Sequence, residues 1–454
     1  MSRIVFGIIL FSFSFSTPAS DKVMGTVTGF SSPNNIQEQC IAINSMPGGV
    51  YTDADRRLEK EYCSMDIYSN TGICPKTWST SPGTMFYGLS GSQYSSATQL
   101  EASVCQKQRH VPIKAIAFKS TMNMRDTSAT FSTASLLYYH FSRYFDTQIK
   151  VPVAVFRSID RQAHLQRVTH KGIAYTKSHM IHDAWKDMLE IETSPASYHP
   201  VDELFTADRK QIYGALVGGS GKRYSGIING SRKSSWGEGQ SNDFQKTPPF
   251  LALSSEKPVA QAVALHEHKA TKEQMVFWMQ DLTEITLLDY IFSQQDRIGN
   301  IDFTKVWVST SDGHIKRSEQ PPAEDQKAQL IKQTHINDND AGGRYAYANF
   351  TKKTKMLENI RHYNRETFQQ LMKLDDDFAR QGVLYEYLSQ AFGLSTKQRD
   401  MIVKNTRLAA EILRNNCLRE KLTFDLKPEQ FFIRGTVDAD RVQCDAYSQP
   451  GDIS

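Results

Sequence analysis

The stretch Leu288-Asp289-Tyr290-Ile291-Phe292-Ser293-Gln294-Gln295-Asp296-Arg297-Ile298-Gly299-Asn300 joins an apolar run to a polar loop carrying an acid and, four residues later, an amide. From Lys272, the residues Met275, Val276, Met279, Leu282, Ile285, Leu288 and Ile291 or Phe292 recur at spacings of three and four. That predicts a helix with one apolar face, running out at Gln294-Gln295. Beyond the loop, Lys305-Val306-Trp307-Val308 reads as a strand and Asp312-Gly313 as a hairpin turn. Residues 315–326, with Pro321-Pro322, read as a loop. Gln329 to Ile336 is a second strand that delivers Asn337-Asp338-Asn339-Asp340-Ala341-Gly342-Gly343.

This order has a chemical reading. Phosphoryl transfer needs cations against phosphate oxygens, oxygen ligands for a metal ion, and a carboxylate to orient the acceptor hydroxyl. Magnesium is hard and prefers carboxylate, amide and phosphate oxygens. Asp296 is placed to orient and deprotonate an acceptor. Asn300 and Asp338 are placed to ligate metal ions bridging phosphates. Taken singly, Asp296 is an ordinary turn aspartate with Arg297 solvated, and Asp338 to Asp340 an Asx-turn cluster. Their order, spacing and expected secondary structure together outweigh those plainer readings. A calcium loop does not fit, because the terminal Glu of the EF-hand pattern is missing.

Upstream, Met85-Phe86-Tyr87-Gly88 reads as a strand, followed by a small-residue loop with Ser90, Gly91 and Ser92. Ile113-Lys114-Ala115-Ile116-Ala117-Phe118-Lys119 alternates and is β-prone. Thr130 to Phe145 suits an amphipathic helix through Leu136, Leu137, Phe141 and Phe145. Val151 to Phe156 is another strand. Residues 158–265 read as irregular, an insertion or linker. Its run Gly218-Gly219-Ser220-Gly221-Lys222-Arg223 fails the Walker pattern, since Leu216 holds the first glycine position and Arg223 follows the lysine. The expectation is a mobile surface loop with solvated charges. Toward the C-terminus, Asp375-Asp376-Asp377 is expected to cap one helix and Ser395-Thr396 to open another running towards Asn415.

Leu288 to Arg297 resembles the helix and catalytic loop of the atypical secretory-pathway kinases, which include the Golgi casein kinase and the proteoglycan xylose kinase. His335-Ile336-Asn337-Asp338-Asn339 resembles their hydrophobic-Asp-Asn-Gly metal segment. Asp296-Arg297 with Asn300 is also similar to the phosphatidylinositol 3/4-kinase superfamily and the HipA-like kinases. The resemblance spans roughly residues 270–345. It implies an α+β, bilobal protein-kinase-like fold with a small β-rich N-lobe and a mainly helical C-lobe. It further implies ATP with Mg or Mn, Asp296 as the catalytic aspartate and Asp338 as a metal ligand. Lys119 resembles the strand lysine that meets the α/β-phosphates, and the Gly88 to Ser96 loop, with Gly88 and Gly91, is expected to cover them.

The chain departs from that pattern in two places. Between Lys119 and Thr147 the acids are Asp126 and Asp146, so no glutamate stands ready to pair with Lys119. Glu101 is a substitute, or the pairing is lost. Asp340 stands where the family has glycine, so Asp338 and Asp340 compete for the metal role, with Asp338 preferred.

The chain has 454 residues with a formal charge of +4, from 53 basic against 49 acidic residues, which argues against a nucleic-acid partner. Arg3, the apolar run Ile4 to Phe15 and Thr17-Pro18-Ala19-Ser20 have the pattern of a secretory signal peptide. No later apolar run is long enough to span a bilayer. Six cysteines in an exported chain imply disulfides. Two bridges are expected among Cys40, Cys63, Cys74 and Cys105, in any of three pairings, and one between Cys417 and Cys444. His266-Glu267-His268 lacks the zinc-protease spacing. Asn229-Gly230-Ser231 and Asn349-Phe350-Thr351 are glycosylation sequons.

The expected organisation is a signal peptide at 1–20, a disulfide-tied N-terminal extension at 21–84, an N-lobe at 85–157, an insertion at 158–265 and a C-lobe at 266–454. The expected function is an exported, ATP- and metal-dependent kinase acting on a hydroxyl of a protein, sugar (glycan) or lipid, in the secretory pathway, periplasm or outside the cell. Two alternatives stand beside it: a catalytically dead binding module, and AMP transfer on the same fold.

Overall fold

One strand at the centre of this fold alternates small or polar with bulky apolar residues. In Ala115–Ser120, Ile116 and Phe118 are buried while Ala115, Ala117 and Lys119 turn the other way. The computed structural model describes residues 23–107, 113–123, 129–219, 221–266, 269–311, 314–322 and 328–447. The expected signal peptide, the Asp312-Gly313 pair, Glu267 and His268 lie outside them. In chain order the strands are β1 (Gly25–Ser31), β2 (Gln37–Ile43), β3 (Thr71–Pro75), β4 (Gly83–Gly88), β5 (Ala115–Ser120), β6 (Ala154–Asp160), β7 (Gln211–Val217), β8 (Lys222–Arg223), β9 (Ile301–Ser311), β10 (His314–Ser318) and β11 (Ala328–Ile336).

The first seven form one sheet in the order β1-β2-β6-β7-β5-β4-β3, antiparallel at every pairing. The last four form a smaller sheet in which β9 pairs with β8, β10 and β11. Helices dominate after residue 225, so the chain has the α+β, two-lobed character expected of it.

Two expectations need correction. The stretch 158–265 is not irregular throughout. β7 lies inside the sheet, hydrogen-bonded to both β5 and β6. Ile212, Ala215 and Leu216 are fully buried there, a continuous apolar strand that the neighbouring Gly-rich and basic runs disguised. The polar stretch 21–84 likewise supplies β1, β2 and β3 to the same sheet. Its disulfides staple that sheet: Cys40 on β2 joins Cys63, and Cys74 on β3 joins Cys105. Cys417 joins Cys444 as expected.

The helix Lys272–Phe292 also departs from a one-faced amphipathic element. Every residue from Gln274 to Phe292 is buried, polar ones included. A helix apolar on most sides, with its few acids paired or hydrogen-bonded, is a central core helix. Thr271 caps it by accepting a hydrogen bond from Gln274 N (3.2 Å). Ser293, at φ +52°, ends it in the left-handed conformation and releases the chain into the Gln294–Asn300 loop.

Helix Thr396–Leu418 opens at Ser395 with a capping box to Gln398. Asp375, Asp376 and Asp377 lie inside the helix Arg365–Ala379, which Asn364 caps. Asp377 still serves as a cap, for the next helix: its Oδ1 accepts from Leu384 N (2.9 Å) and Tyr385 N (3.0 Å). Asn229 is buried, with Oδ1 accepting from Ile301 N (3.0 Å), so the first sequon is structural.

The lobes are joined by backbone as well as by core. Lys150 N donates to Thr334 O (2.8 Å), and Ile336 N donates to Lys150 O (3.1 Å). The segment before β6 thus rides on β11, and one apolar cluster runs through both lobes.

Candidate active site

The end of β5 and the end of β11 converge. Lys119 occupies the last turn-facing position of β5, opposite Gly83 of β4. Its Nζ donates to Asp338 Oδ1 (2.9 Å) and Asp340 Oδ1 (2.5 Å). Asp338 sits at φ +52°, left-handed geometry that Asp tolerates through local hydrogen bonding. This turn brings both carboxylates to one ammonium. Burial works against the charge on Lys119, but the two carboxylates outweigh it and raise its pKa. Lys119 in turn holds the Asp338 carboxyl well below its ordinary range, burial opposing.

The loop after the central helix is fastened to the same turn through Arg297. Its guanidinium is buried, not solvated as a surface turn would have it. Nε donates to Asp289 Oδ2 (2.9 Å) and Nη2 to Asp289 Oδ1 (2.9 Å). Nη1 donates to Asn337 O (2.9 Å) and Nη2 also to Asn339 Oδ1 (2.9 Å). Tyr138 donates its hydroxyl to Asp289 Oδ1 (2.7 Å) from the helix Thr133–Tyr144. Gln295 N donates to Ala341 O (2.9 Å). Arg297 is therefore a strut between the Asp296 loop and the Asp338 turn, with Asp289 as its anchor.

Asp296 stands at the open side, 42% exposed in its side chain. Asn300 Nδ2 donates to Asp296 O (2.6 Å) and to Asp296 Oδ2 (3.1 Å). Arg232 Nη2 lies 3.8 Å from Asp296 Oδ1. Burial raises the Asp296 pKa, and Arg232 opposes that rise. Asp338 adds to it, so the two carboxylates sense each other.

Three participants were not singled out from sequence. Asp302, two residues past Asn300, accepts from Asn337 Nδ2 (2.6 Å). Arg223 on β8 forms an ion pair with Asp302, Nε lying 2.6 Å from Oδ1, and donates from Nη1 to Asn300 Oδ1 (2.6 Å). Its Nη2 lies 3.9 Å from Asp338 Oδ2. Gly221 to Arg223 is exposed, as expected of a surface run, but Lys222 and Arg223 pair with β9 and the Arg223 charge is partnered rather than left to solvent. Lys76, just past β3, is the third. Burial and then the neighbouring Lys119 charge lower its pKa. The available signals were positional: a β-prone hairpin before the lysine strand, and an acid continuing the Asp-x3-Asn loop into a strand.

Some of these groups line a cavity of about 230 Å³, which Asp296 and Asn300 do not line. Lys76, Lys119 and Arg223 line it with Asp302, Asn337 and Asp338. Ala115, Ala117 and Val217 give it an apolar roof. A second cavity of about 550 Å³ adjoins it through Ala115, Pro152, Gly218 and Gly219.

Two expected residues lie elsewhere. Gly88 pairs with Thr71 at the far end of β4, five residues from the Gly83 that faces Lys119. At about 3.3 Å per residue that is roughly 16 Å away. Gly91 follows Gly88 away from the cavity. The loop adjoining Lys119 is instead the β3–β4 turn, which starts at Lys76 and returns at Gly83. Nor does Glu101 pair with Lys119. It is held by Arg167 Nη2 (2.5 Å) and Lys171 Nζ (2.9 Å).

The donor set fits a hard divalent cation only in part. Asp338, Asp302 and Asn300 offer oxygen atoms of the right kind. Among the described residues, however, no group of three or more His, Cys, Asp or Glu side chains forms a closed metal cage. Such a set suits an ion shared with phosphate oxygens, the usual manner of magnesium in nucleotide sites.

No family model matches the chain, and no curated protein matches it. Among solved structures it is similar to the Golgi casein kinase with Mn/ADP bound, at 14% identity, covering 81% of this chain and 77% of that one, with a TM-score of 0.44. It is similar to a second structure of the Golgi casein kinase at 14% identity, covering 82% and 79%, TM-score 0.43. It is also similar to hydra Fam20 with sugar, at 12% identity, covering 84% and 94%, TM-score 0.42.

Proposed function

We propose that this chain is an exported kinase-like phosphotransferase that uses ATP with Mg or Mn and acts on a hydroxyl of a protein, glycan or lipid. One observation carries the reading. A strand lysine from the β-rich lobe, Lys119, meets Asp338 and Asp340 from the helical lobe at the wall of a polar cavity. Cations and carboxylates converge there beneath an apolar roof, the combination a nucleotide polyphosphate needs.

When bound, the metal–ATP complex supplies the phosphoryl group and the divalent charge that offsets its oxygens. Asp338 is the carboxylate that would hold the ion, with Asn300 and Asp302, both in contact with Arg223, at the other side of the cavity mouth. Lys119, now bound to Asp338 and Asp340, would serve as a point charge for the phosphates. Lys76 approaches from the β3–β4 turn, over the same ligand. Asp296, at the open side, would take the acceptor hydroxyl's proton as that oxygen bonds the γ-phosphorus of ATP and the bond to the departing ADP breaks. Arg297 keeps Asp296 and Asp338 at a fixed separation. The three disulfides accord with action in an oxidising compartment.

The test is label transfer. Mature protein is incubated with γ-labelled ATP and Mn or Mg, beside Asp296→Ala and Asp338→Ala. Transfer by the wild type alone supports the reading. Transfer from α-labelled ATP instead would show AMP transfer. No transfer together with no nucleotide-induced thermal shift would sink both enzyme readings and leave a binding module.

A further inference from the structure

Arg223 is placed by the fold, not by chance contact. β8 pairs with β9 in the register Lys222↔Phe303 and Arg223↔Asp302. Gly221 makes that approach possible. It sits at φ +142°, and a Cβ there would lie 2.8 Å from the Asp302 Cβ. The guanidinium is thereby delivered between Asn300 and Asp302, with one edge towards Asp338.

Asn300 has a single atom suited to a cation, its Oδ1, and Arg223 Nη1 holds it at 2.6 Å. The amide is not free to turn, because Nδ2 is committed to two oxygens of Asp296. Arg223 Nη1 also donates to the carbonyl of Gly299, its Nε forms an ion pair with Asp302 Oδ1, and Asp302 Oδ2 already accepts from Asn337 Nδ2. An arginine keeps its charge at every accessible pH. A divalent ion on Asn300 and Asp302 therefore meets a fixed positive charge and ligands already in use. At Asp338 the case differs, since Oδ2 is 3.9 Å from the guanidinium.

We propose that Arg223 is a built-in cation at the Asn300–Asp302 pole, so that the site takes one divalent ion, at Asp338, rather than two. The guanidinium supplies at that pole the charge a second ion would bring, and its planar fork suits phosphate oxygens. This inference rests on the phosphotransfer reading.

The test counts ions. Mn²⁺ is titrated into the intact protein with a non-hydrolysable ATP analogue, and bound ion is counted by electron paramagnetic resonance and calorimetry. Wild type and Arg223→Lys are expected to bind one ion per chain, and Arg223→Gln two. Thermal melting checks that the variants fold. Two ions on the wild type, or one ion on a folded Arg223→Gln, would overturn the proposal while leaving the phosphotransfer reading intact. Neither Mn²⁺ nor analogue bound by the wild type would overturn both. If Arg223→Gln does not fold, the wild-type count alone decides.

Discussion

Lys119 Nζ lies 2.9 Å from Asp338 Oδ1 and 2.5 Å from Asp340 Oδ1, joining the β-rich lobe to the helical lobe through one ammonium and two carboxylates. The lysine is 15% exposed in its side chain and Asp338 38%, so the pair sits at the cavity wall within reach of a ligand. Lys119→Met leaves the two carboxylates facing each other without their cation. Label transfer is expected to fall about 100-fold or more, the scale of losing one charged clamp on a transferring phosphoryl group. The nucleotide-induced thermal shift should vanish with it. Retention of more than half the wild-type rate would show that Lys119 is a structural tie only.

Asp296 gives a prediction of sign. A general base must be ionised, and burial raises the Asp296 pKa above its ordinary value. The rate should therefore climb with pH through a limb above that of an ordinary aspartate and then level off. Arg232 opposes the rise. Arg232→Gln is expected to move that limb to higher pH, read as kcat/KM against pH. A limb that stays put or moves down would remove Asp296 from the base role. Asp296→Asn should lower kcat by about 10²–10⁴-fold.

The route from sequence to this site was uneven, for physical reasons. Asp296, Asn300 and Asp338 were legible because each ends a periodic element, and a change of period marks where a chain leaves regular structure. Lys119 was legible for the same reason, at the end of an alternating strand. Arg223 was not. Its strand has two residues and follows glycines, so local pattern says loop, and only pairing with β9 makes it a strand. Gly88 and Gly91 misled in the opposite direction. They follow a real strand, but antiparallel pairing carries Lys119 back to the strand's start, at Gly83. Register across strands is a tertiary property that a single run of residues does not encode. The central helix was found by its period, yet its acids were invisible as core residues, because their partners come from distant segments.

Arg297 and Asp289 test the strut. Both side chains are almost fully buried. Arg297→Met leaves Asp289 buried with only the Tyr138 hydroxyl and should cost about 3–5 kcal/mol, as for other broken buried pairs. The double variant Asp289→Leu/Arg297→Met removes the orphaned charge and should recover part of that loss in chemical unfolding. It should not recover label transfer, because Asn337 and Asn339 stay released. A double variant as unstable as the single one would mean that packing, not the uncompensated charge, sets the cost.

Two further acids of the central helix predict how stability responds to pH. Asp281 accepts from Thr334 Oγ1 (2.5 Å) and Gln148 Nε2 (2.9 Å). Glu284 accepts from Gln148 N (3.1 Å), Ile149 N (3.0 Å) and Gln280 Nε2 (2.7 Å). Burial pushes Asp281 up to about 7 and Glu284 up to about 8, with the Asp281 charge adding to the latter. The folded chain then holds protons that the unfolded chain has released, so stability falls as pH rises between the unfolded and folded values. The window is about pH 4 to 8, and each pH unit within it costs about 1.4 kcal/mol per extra proton held by the folded chain. Glu284→Gln keeps the shape, removes one titration, and should flatten the slope of unfolding free energy against pH. The segment 148–150 also carries the backbone link to β11, so the same acids bear on how the lobes are joined. A slope unchanged by Glu284→Gln, with the variant folded, would place the ionisation elsewhere.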